Sequence, residues 1–145
     1  MQSKKVIYAT ALSLLVLAGL TSNSLSLQSN KVSGVLIATP DVALPEGAIA
    51  YITLLDVSPR QDVESSIIAR QTIPNPNQLP VSFELSYNPD RIHPDHLYAI
   101  QAQVTTEGRV VLRNRSAYPV ITQGNPSVVE VLVIQNFDEL QNTSN

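Results

Sequence analysis

The stretch VSFELSY, residues 81–87, contains the clearest periodic signal in the sequence. Every second residue from Val81 to Tyr87 is apolar, and the residues between them are serine or glutamate. A period of two with one apolar face is typical of a β-strand that is buried on one side only. The sequence therefore predicts a strand here, with Phe83 and Leu85 directed into a core.

The same pattern extends outward along the chain. LYAIQAQVT (97–105) alternates in the same way, and Glu107-Gly108 after it predicts a tight hairpin turn. All ten prolines fall between or at the ends of strand-like segments, because proline cannot donate to a β-ladder. The pattern predicts an all-β fold, a small antiparallel β-sandwich of about seven strands. The other five strands are KVSGVLIA, AIAYITLLDV, SSIIARQTI, RVVLRNRS and SVVEVLVI.

The N-terminus has the layout of a secretory signal peptide. Lys4 and Lys5 precede an apolar run over residues 6–20, shorter than the roughly 20 residues of a spanning helix. We expect a leader over residues 1–26, cleaved after Ser24 or Ser26, a domain over 31–135 and a polar tail over 136–145. A leader left uncut would instead tether the protein.

The absence of cysteine and the negative net charge restrict the chemistry and the partners that the protein can have. Leu20 follows Leu17-Ala18-Gly19, where a lipoprotein leader would have its lipid-carrying cysteine, and the sequence contains no cysteine at all. Thioether lipidation, disulfides and thiolate chemistry are therefore excluded. Without the leader, seven Lys and Arg oppose twelve Asp and Glu, a formal charge of −5, which argues against nucleic acid and anionic membrane surfaces. We expect a soluble periplasmic or envelope monomer with no membrane span in the mature chain.

Three stretches together resemble a known family. The combination of ALP before a strand, NP followed by I-x-P, and PVITQG late in the chain is similar to the YbaY/YscW family of small bacterial envelope lipoproteins. The resemblance implies a β-sandwich, an envelope location, no known catalytic site and, for the type III secretion members, a pilotin role toward a secretin. The stretches are VSGVLIATPDVALPEGAIAYITLLDVS, FELSYNPDRIHPDHLYAIQAQV and SAYPVITQGNPSVVEVLV.

The segment IHPDH places His93, Asp95 and His96 within four residues. Imidazole and carboxylate groups are ligands that zinc accepts, so these three residues are weak candidates for a metal site. Pro94 fixes the backbone between the two histidines, and the chain has no further histidine to complete a coordination sphere. We therefore interpret the segment as a solvated turn and expect no metal and no cofactor.

The segment RVVLRNRS predicts a stripe of arginines. An uninterrupted strand would place Arg109, Arg113 and Arg115 on one face. Three guanidinium groups on an acidic protein could bind a carboxylate-bearing partner or a glycan. The alternative, which we favour, is that these charges protect an edge strand against aggregation.

The strand AIAYITLLDV is apolar on both faces. Its second face carries Tyr51 and Leu55, which are either exposed for a partner or covered by a loop or the tail. Together with the arginines they are the candidate partner-binding residues.

Motifs typical of enzymes, such as G-x-S-x-G and HExxH, are missing, so we expect no enzyme. The sequence predicts an exported, non-catalytic envelope protein that acts as a pilotin-like chaperone or assembly factor for another envelope protein. The alternative is a binding module for a small ligand, ion or glycan.

Overall fold

A computed structural model of the chain describes residues 30–39, 42–58 and 66–136. It contains eight strands and a short 3-10 turn, Pro89–Arg91. The seven predicted strands are confirmed, and the eighth, β7, is a two-residue strand that has no period to detect. The predicted leader and the tail beyond Asn136 lie outside the described residues. The strands are β1 Lys31–Ala38, β2 Ile49–Asp56, β3 Ile67–Pro74, β4 Val81–Ser86, β5 Tyr98–Thr106, β6 Arg109–Arg113, β7 Pro119–Val120 and β8 Val128–Gln135.

The strands form one continuous path in the order β3-β2-β5-β6-β8-β1-β4, with β7 paired to β5 beside it. Neighbouring strands are antiparallel except β1 and β8, which are parallel. The prediction of a small all-β domain is thus confirmed. The structure adds that the sheet bends round until its two ends, β3 and β4, nearly close it like a barrel.

The core lies inside this curved sheet. Phe83 and Leu85 of β4 are 3% and 2% exposed, as the alternation in VSFELSY predicts. Most inward residues of β1, β2, β5 and β8 are fully buried, because each of these strands has a neighbour on both sides. The fully enclosed side chains include Ile52, Leu54, Tyr98, Val104, Val120, Val131 and Val133.

The hairpin between β5 and β6 has the predicted two-residue turn. Glu107 and Gly108 both have positive φ angles, 52° and 78°. Two consecutive left-handed residues are characteristic of a type I′ turn, whose twist matches that of the flanking strands. The pairing beyond the turn differs from the regular alternation predicted for RVVLRNRS. The register shifts between Val104 and Thr105, so Val111 has no partner on β5.

The sheet is closed by a side chain rather than by a ladder. Gln71 of β3 lies opposite Ile52, in an inward row that otherwise carries Ala69 and Ile73. Its Oε1 accepts a hydrogen bond of 2.9 Å from the backbone N–H of Glu84 on β4. We call the junction between β3 and β4 the seam.

Candidate functional site

The outward side of β3, β2, β5 and β6 carries a polar surface that we call the outer face. One row across it, in register, consists of Thr72, Tyr51, Gln103 and Arg113. The next row consists of Arg70, Thr53 and Gln101. Residues directly opposite each other on neighbouring strands share a face and are close enough to contact one ligand.

A depression of about 330 Å³ lies in the outer face. Arg70 borders it, and its Nε donates a 3.2 Å hydrogen bond to Oγ1 of Thr53, which is only 5% exposed. The bond satisfies a buried hydroxyl and holds the guanidinium beside the depression. No lining residue is acidic, so a ligand here meets amides, hydroxyls, one aromatic ring and one cation. The lining residues are Tyr51, Thr53, Arg70, Gln101, Gln103, Thr105 and Gly108.

The bulge at Val111 separates the arginines that the sequence predicts on one face. Arg113 pairs with Gln103 and so belongs to the outer face. Arg109 pairs with Thr106, which follows Val104 in the inward row of β5. Arg115 lies beyond the end of β6 and is exposed. The prediction of a three-arginine stripe is therefore wrong, because an extra residue reverses the alternation.

The edge-protection interpretation of the same arginines is also wrong. β6 lies between β5 and β8 in the path, and its pairing with β8 continues into contacts from Asn136. The backbone N–H of Asn136 donates to the carbonyl of Val111 at 2.9 Å, and its Nδ2 donates to that of Val110 at 3.2 Å. The open edges of the described sheet belong to β3 and β4.

Tyr51 and Leu55 both lie on the outer side of β2 and are half-buried. Leu55 is opposite Ala99, two positions beyond Thr53 along the strand. The loop over residues 59–65 and the tail beyond residue 136, the covers that the prediction named, lie outside the described residues, and a partner-binding role of Tyr51 and Leu55 stays a prediction. The structure brings Tyr51 and Arg113 into one row, with Leu55 four residues along β2.

The histidine turn is fastened to the end of β2. Nδ1 of His96 lies 2.7 Å from Oδ2 of Asp56, whose side chain is 7% exposed. Oδ1 of Asp56 accepts a 2.9 Å hydrogen bond from the backbone N–H of Ser58. Burial by itself raises the pKa of Asp56, but the hydrogen bonds from Ser58 and His96 outweigh it and lower that pKa below its ordinary value. The carboxylate therefore stays charged and holds His96.

Further hydrogen bonds fix the backbone of the turn. The hydroxyl of Tyr98 accepts from the N–H of His93 at 2.9 Å and donates to the carbonyl of Arg91 at 3.2 Å. Oγ1 of Thr122 donates to the carbonyl of His96 at 2.7 Å. The interpretation as a merely solvated turn is thus incomplete, because His96 is a structural contact.

The metal candidates His93, Asp95 and His96 do not come together as a site. Among residues 30–39, 42–58 and 66–136, no group of three potential ligands is placed to hold an ion. His96 instead uses Nδ1 for Asp56, forty residues earlier in the chain.

Sequence reasoning missed two residues of structural weight, Asp56 and Gln71. Each is a polar residue in an inward row that is otherwise apolar, and that position is the available signal. Their partners, His96 and Glu84, are distant in sequence and could not be found from the pattern.

Comparison with solved structures identifies the class of protein. The fold matches an alternative pilotin from the type II secretion system of Vibrio cholerae, with a TM-score of 0.66 and 28% sequence identity. The match covers 73% of this chain and 96% of that one. The fold is therefore one that a secretion-system pilotin uses.

The family follows from the sequence match. Residues 27–133 match the family described as type III secretion system lipoprotein chaperone (YscW), and the chain belongs to that family. It is also 32% identical over 109 residues to the uncharacterized lipoprotein YbaY of Escherichia coli strain K12. That match covers 74% of this chain but only 57% of YbaY. The resemblance predicted from the three motif stretches is confirmed.

The matches are thus described as a lipoprotein chaperone, an uncharacterized lipoprotein and a pilotin. Within the part of the chain that the structure describes, no helix is long and apolar enough to cross a membrane.

Proposed function

We propose that this protein is an exported, non-catalytic, pilotin-like chaperone that binds another envelope protein, most specifically a segment of a secretin. The observation that carries the proposal is membership of the YscW family, whose described role is that of a secretion-system chaperone. The pilotin match, which covers 96% of the matched chain, supports the same role. The proposal includes a leader that is cleaved after Ser24 or Ser26 and a monomeric mature protein released into the envelope without lipid.

The outer face is the surface we assign to partner side chains. Tyr51, Leu55 and Arg113 offer a ring, an apolar side chain and a cation on the same side of the sheet. Tyrosine and arginine are the residues that most often contribute large binding energies at interfaces. A partner segment with an apolar residue over Tyr51 and a carboxylate toward Arg113 matches this arrangement.

The bulge at Val111 supplies a matched control for the test. Arg113→Glu reverses a charge on the outer face, whereas Arg109→Glu makes the same change on the same strand in the opposite row. We expect Arg113→Glu and Tyr51→Ala each to weaken binding to a purified secretin of the same organism by about tenfold. The loss from Arg113→Glu should be greatest at low salt, where screening is weakest.

Arg109→Glu should leave the affinity nearly unchanged, and both arginine variants should keep the parent melting temperature, because exposed charges contribute little to stability. Equal losses for Arg113→Glu and Arg109→Glu would remove the outer face from the proposal. No binding of the parent to any secretin of that organism would contradict the proposed function itself.

A second function is favoured by the depression in the outer face, which would suit a small carboxylate-bearing sugar beside Arg70. Glucuronate at about 100 times its Kd would then add about 2.7 kcal/mol to the free energy of unfolding. A parent whose stability does not change with glucuronate, but which binds secretin, excludes this alternative.

A further inference from the structure

The backbone groups of β4 that do not pair with β1 point into the seam. The N–H of Tyr87 donates to the carbonyl of Asn30 at 3.0 Å, so this pair is one of the hydrogen-bonded pairs of the β1–β4 ladder. Hydrogen-bonded pairs alternate along an antiparallel ladder. The residues that bond to β1 are then Leu85, Phe83 and Val81, and those that direct N–H and C=O away from β1 are Ser82, Glu84 and Ser86.

The other side of the seam follows the same rule. The N–H of Asn75 donates to the carbonyl of Ala48 at 2.9 Å, which fixes the alternation of the β2–β3 ladder. Arg70 and Thr72 therefore direct their backbone groups away from β2 and toward the seam. Two rows of main-chain groups face each other, and no ladder joins β3 to β4 within the described residues.

The side chain of Gln71 takes the place of a neighbouring strand at this junction. Its Oε1 occupies the position that a carbonyl of an adjacent strand would take opposite the N–H of Glu84. A side-chain amide is released more easily than a ladder, because it is held by one hydrogen bond rather than by a repeating series. Only another extended backbone can pair with alternating N–H and C=O groups along the whole edge.

The side chains along the seam define the pattern of a suitable segment. Phe83 and Leu85 lie on the inward side of β4, and Ile73 lies on the inward side of β3. Ser82 and Glu84 lie on the outward, exposed side. A strand that enters the seam therefore needs apolar residues on alternate positions facing the core and polar residues between them.

We infer that the seam binds an extended, alternately apolar and polar segment of the partner protein as an added strand on β4, with release of the Gln71 amide from Glu84. The inference rests on the proposed function, since it names how the partner's main chain is held. The partner is a different protein, and pairing between two copies of this chain is an alternative that the test must expose.

The test removes one donor from the edge. Glu84→Pro deletes the N–H that faces the seam and leaves the ladder with β1 intact, and proline is tolerated at such edge positions. Glu84→Ala is the matched control, because it loses the same side chain and the same ion pair with Lys31 but keeps the N–H. The probes are overlapping peptides of about ten residues, a full strand length, that tile a secretin from the same organism.

We expect one or more peptides to bind the parent and Glu84→Ala with similar Kd, and to bind Glu84→Pro about tenfold more weakly. Ser82→Pro should act in the same way, and it serves if Glu84→Pro does not fold. In the unaltered protein, the bound peptide should slow hydrogen exchange at the amides of Ser82, Glu84 and Ser86.

Equal binding by parent and proline variants, without slowed exchange, would overturn the inference and leave the proposed function standing. The same holds if binding is lost only in the outer-face variants Tyr51→Ala and Arg113→Glu. A parent dimer that Glu84→Pro converts to monomer, with no slowing by peptide, would assign the seam to a second copy. Failure of every peptide and of the whole secretin to bind the parent would overturn both proposals.

Discussion

The junction between β2 and β5 and the seam between β3 and β4 are closed in different ways. β2 and β5 are paired without interruption over the eight residues from Ile49 to Asp56. β3 and β4 meet through the amide of Gln71 and the N–H of Glu84. The continuous ladder holds the core in place, whereas the seam shuts the sheet with a contact that one side-chain rotation can break. Stability and accessibility are thus assigned to different junctions of one small sheet.

Asn114 shows the same use of an amide on the continuous side. Its Oδ1 accepts from the N–H of Ala102 at 2.8 Å, and its Nδ2 donates to the carbonyl of Ile100 at 3.3 Å. The Asn114 side chain thereby continues the hydrogen bonding to β5 between the end of β6 and the start of β7. The neighbouring backbone bonds from Ile100 and Asn114 hold that amide in a ladder, and Gln71 lacks such neighbours across the seam.

The largest loss of stability is expected at Gly34, where the ladder between β1 and β8 leaves no space for a side chain. A Cβ on Gly34 of β1 would overlap the carbonyl oxygen of Val129 on β8 and lie 2.9 Å from Cζ of Phe83 on β4. Gly34→Ala should lower the free energy of unfolding by about 3 kcal/mol, because backbone on β8 has to shift. Urea unfolding followed by circular dichroism measures this loss.

Gly47→Ala is the control for that variant. Gly47 has a φ of 79° and no atom near its would-be Cβ, so alanine there should cost only about 1 kcal/mol from the left-handed backbone. If the two variants are equally stable, β1 is not packed as tightly between β8 and β4 as the structure shows.

The next largest loss of stability is expected at the histidine turn, which the contact between Asp56 and His96 holds to the end of β2. His96→Ala removes the imidazole partner of the buried Asp56 carboxylate and should cost about 1–3 kcal/mol near pH 7. His93→Ala is the control, because His93 is exposed and its ring only contacts that of His96, at 4.9 Å between centroids. A loss no larger for His96→Ala than for His93→Ala would contradict a structural role for the pair.

The pH dependence of the parent follows from the lowered pKa of Asp56. A carboxyl group with a folded-state pKa below its unfolded value stabilises the fold above the unfolded pKa. That contribution is lost as the pH falls through the folded-state pKa, so the parent should lose stability in the acid range, below about pH 4. Asp56→Asn should reduce this acid sensitivity while lowering stability near pH 7.

The strands could be predicted from the sequence because the signal is local. Alternation in VSFELSY and LYAIQAQVT depends on neighbours two residues apart, and those strands lie where the alternation places them. The bulge at Val111 could not be predicted. Nothing in RVVLRNRS shows whether the alternation of faces continues along the whole strand or is reversed by one extra residue. That single residue decides which arginine shares a face with Tyr51.

The candidate site was predictable only in part, for a similar reason. Tyr51, Leu55 and Arg113 were identified from local pattern, but their arrangement depends on register between strands. The pairing of Asp56 with His96 and of Gln71 with Glu84 joins positions far apart in the chain. Asp56 and Gln71 are recognisable in the sequence as polar residues in apolar rows, and only the fold shows what they contact.

The smallest effect tests the seam directly. Gln71→Ala removes one hydrogen bond to an exposed N–H, so the free energy of unfolding should fall by about 1 kcal/mol or less. The informative measurement is local hydrogen exchange, because a seam that opens on its own exchanges without global unfolding. The amide of Glu84 should exchange faster in the variant, while that of Thr53, whose N–H is directed toward β5, should keep the parent rate. Thr72→Ala, a neighbouring change on the outer face, should alter neither rate. If the amides of Thr53 and Glu84 exchange faster together, the seam and the β2–β5 ladder open as one unit, and the two junctions differ in structure but not in stability.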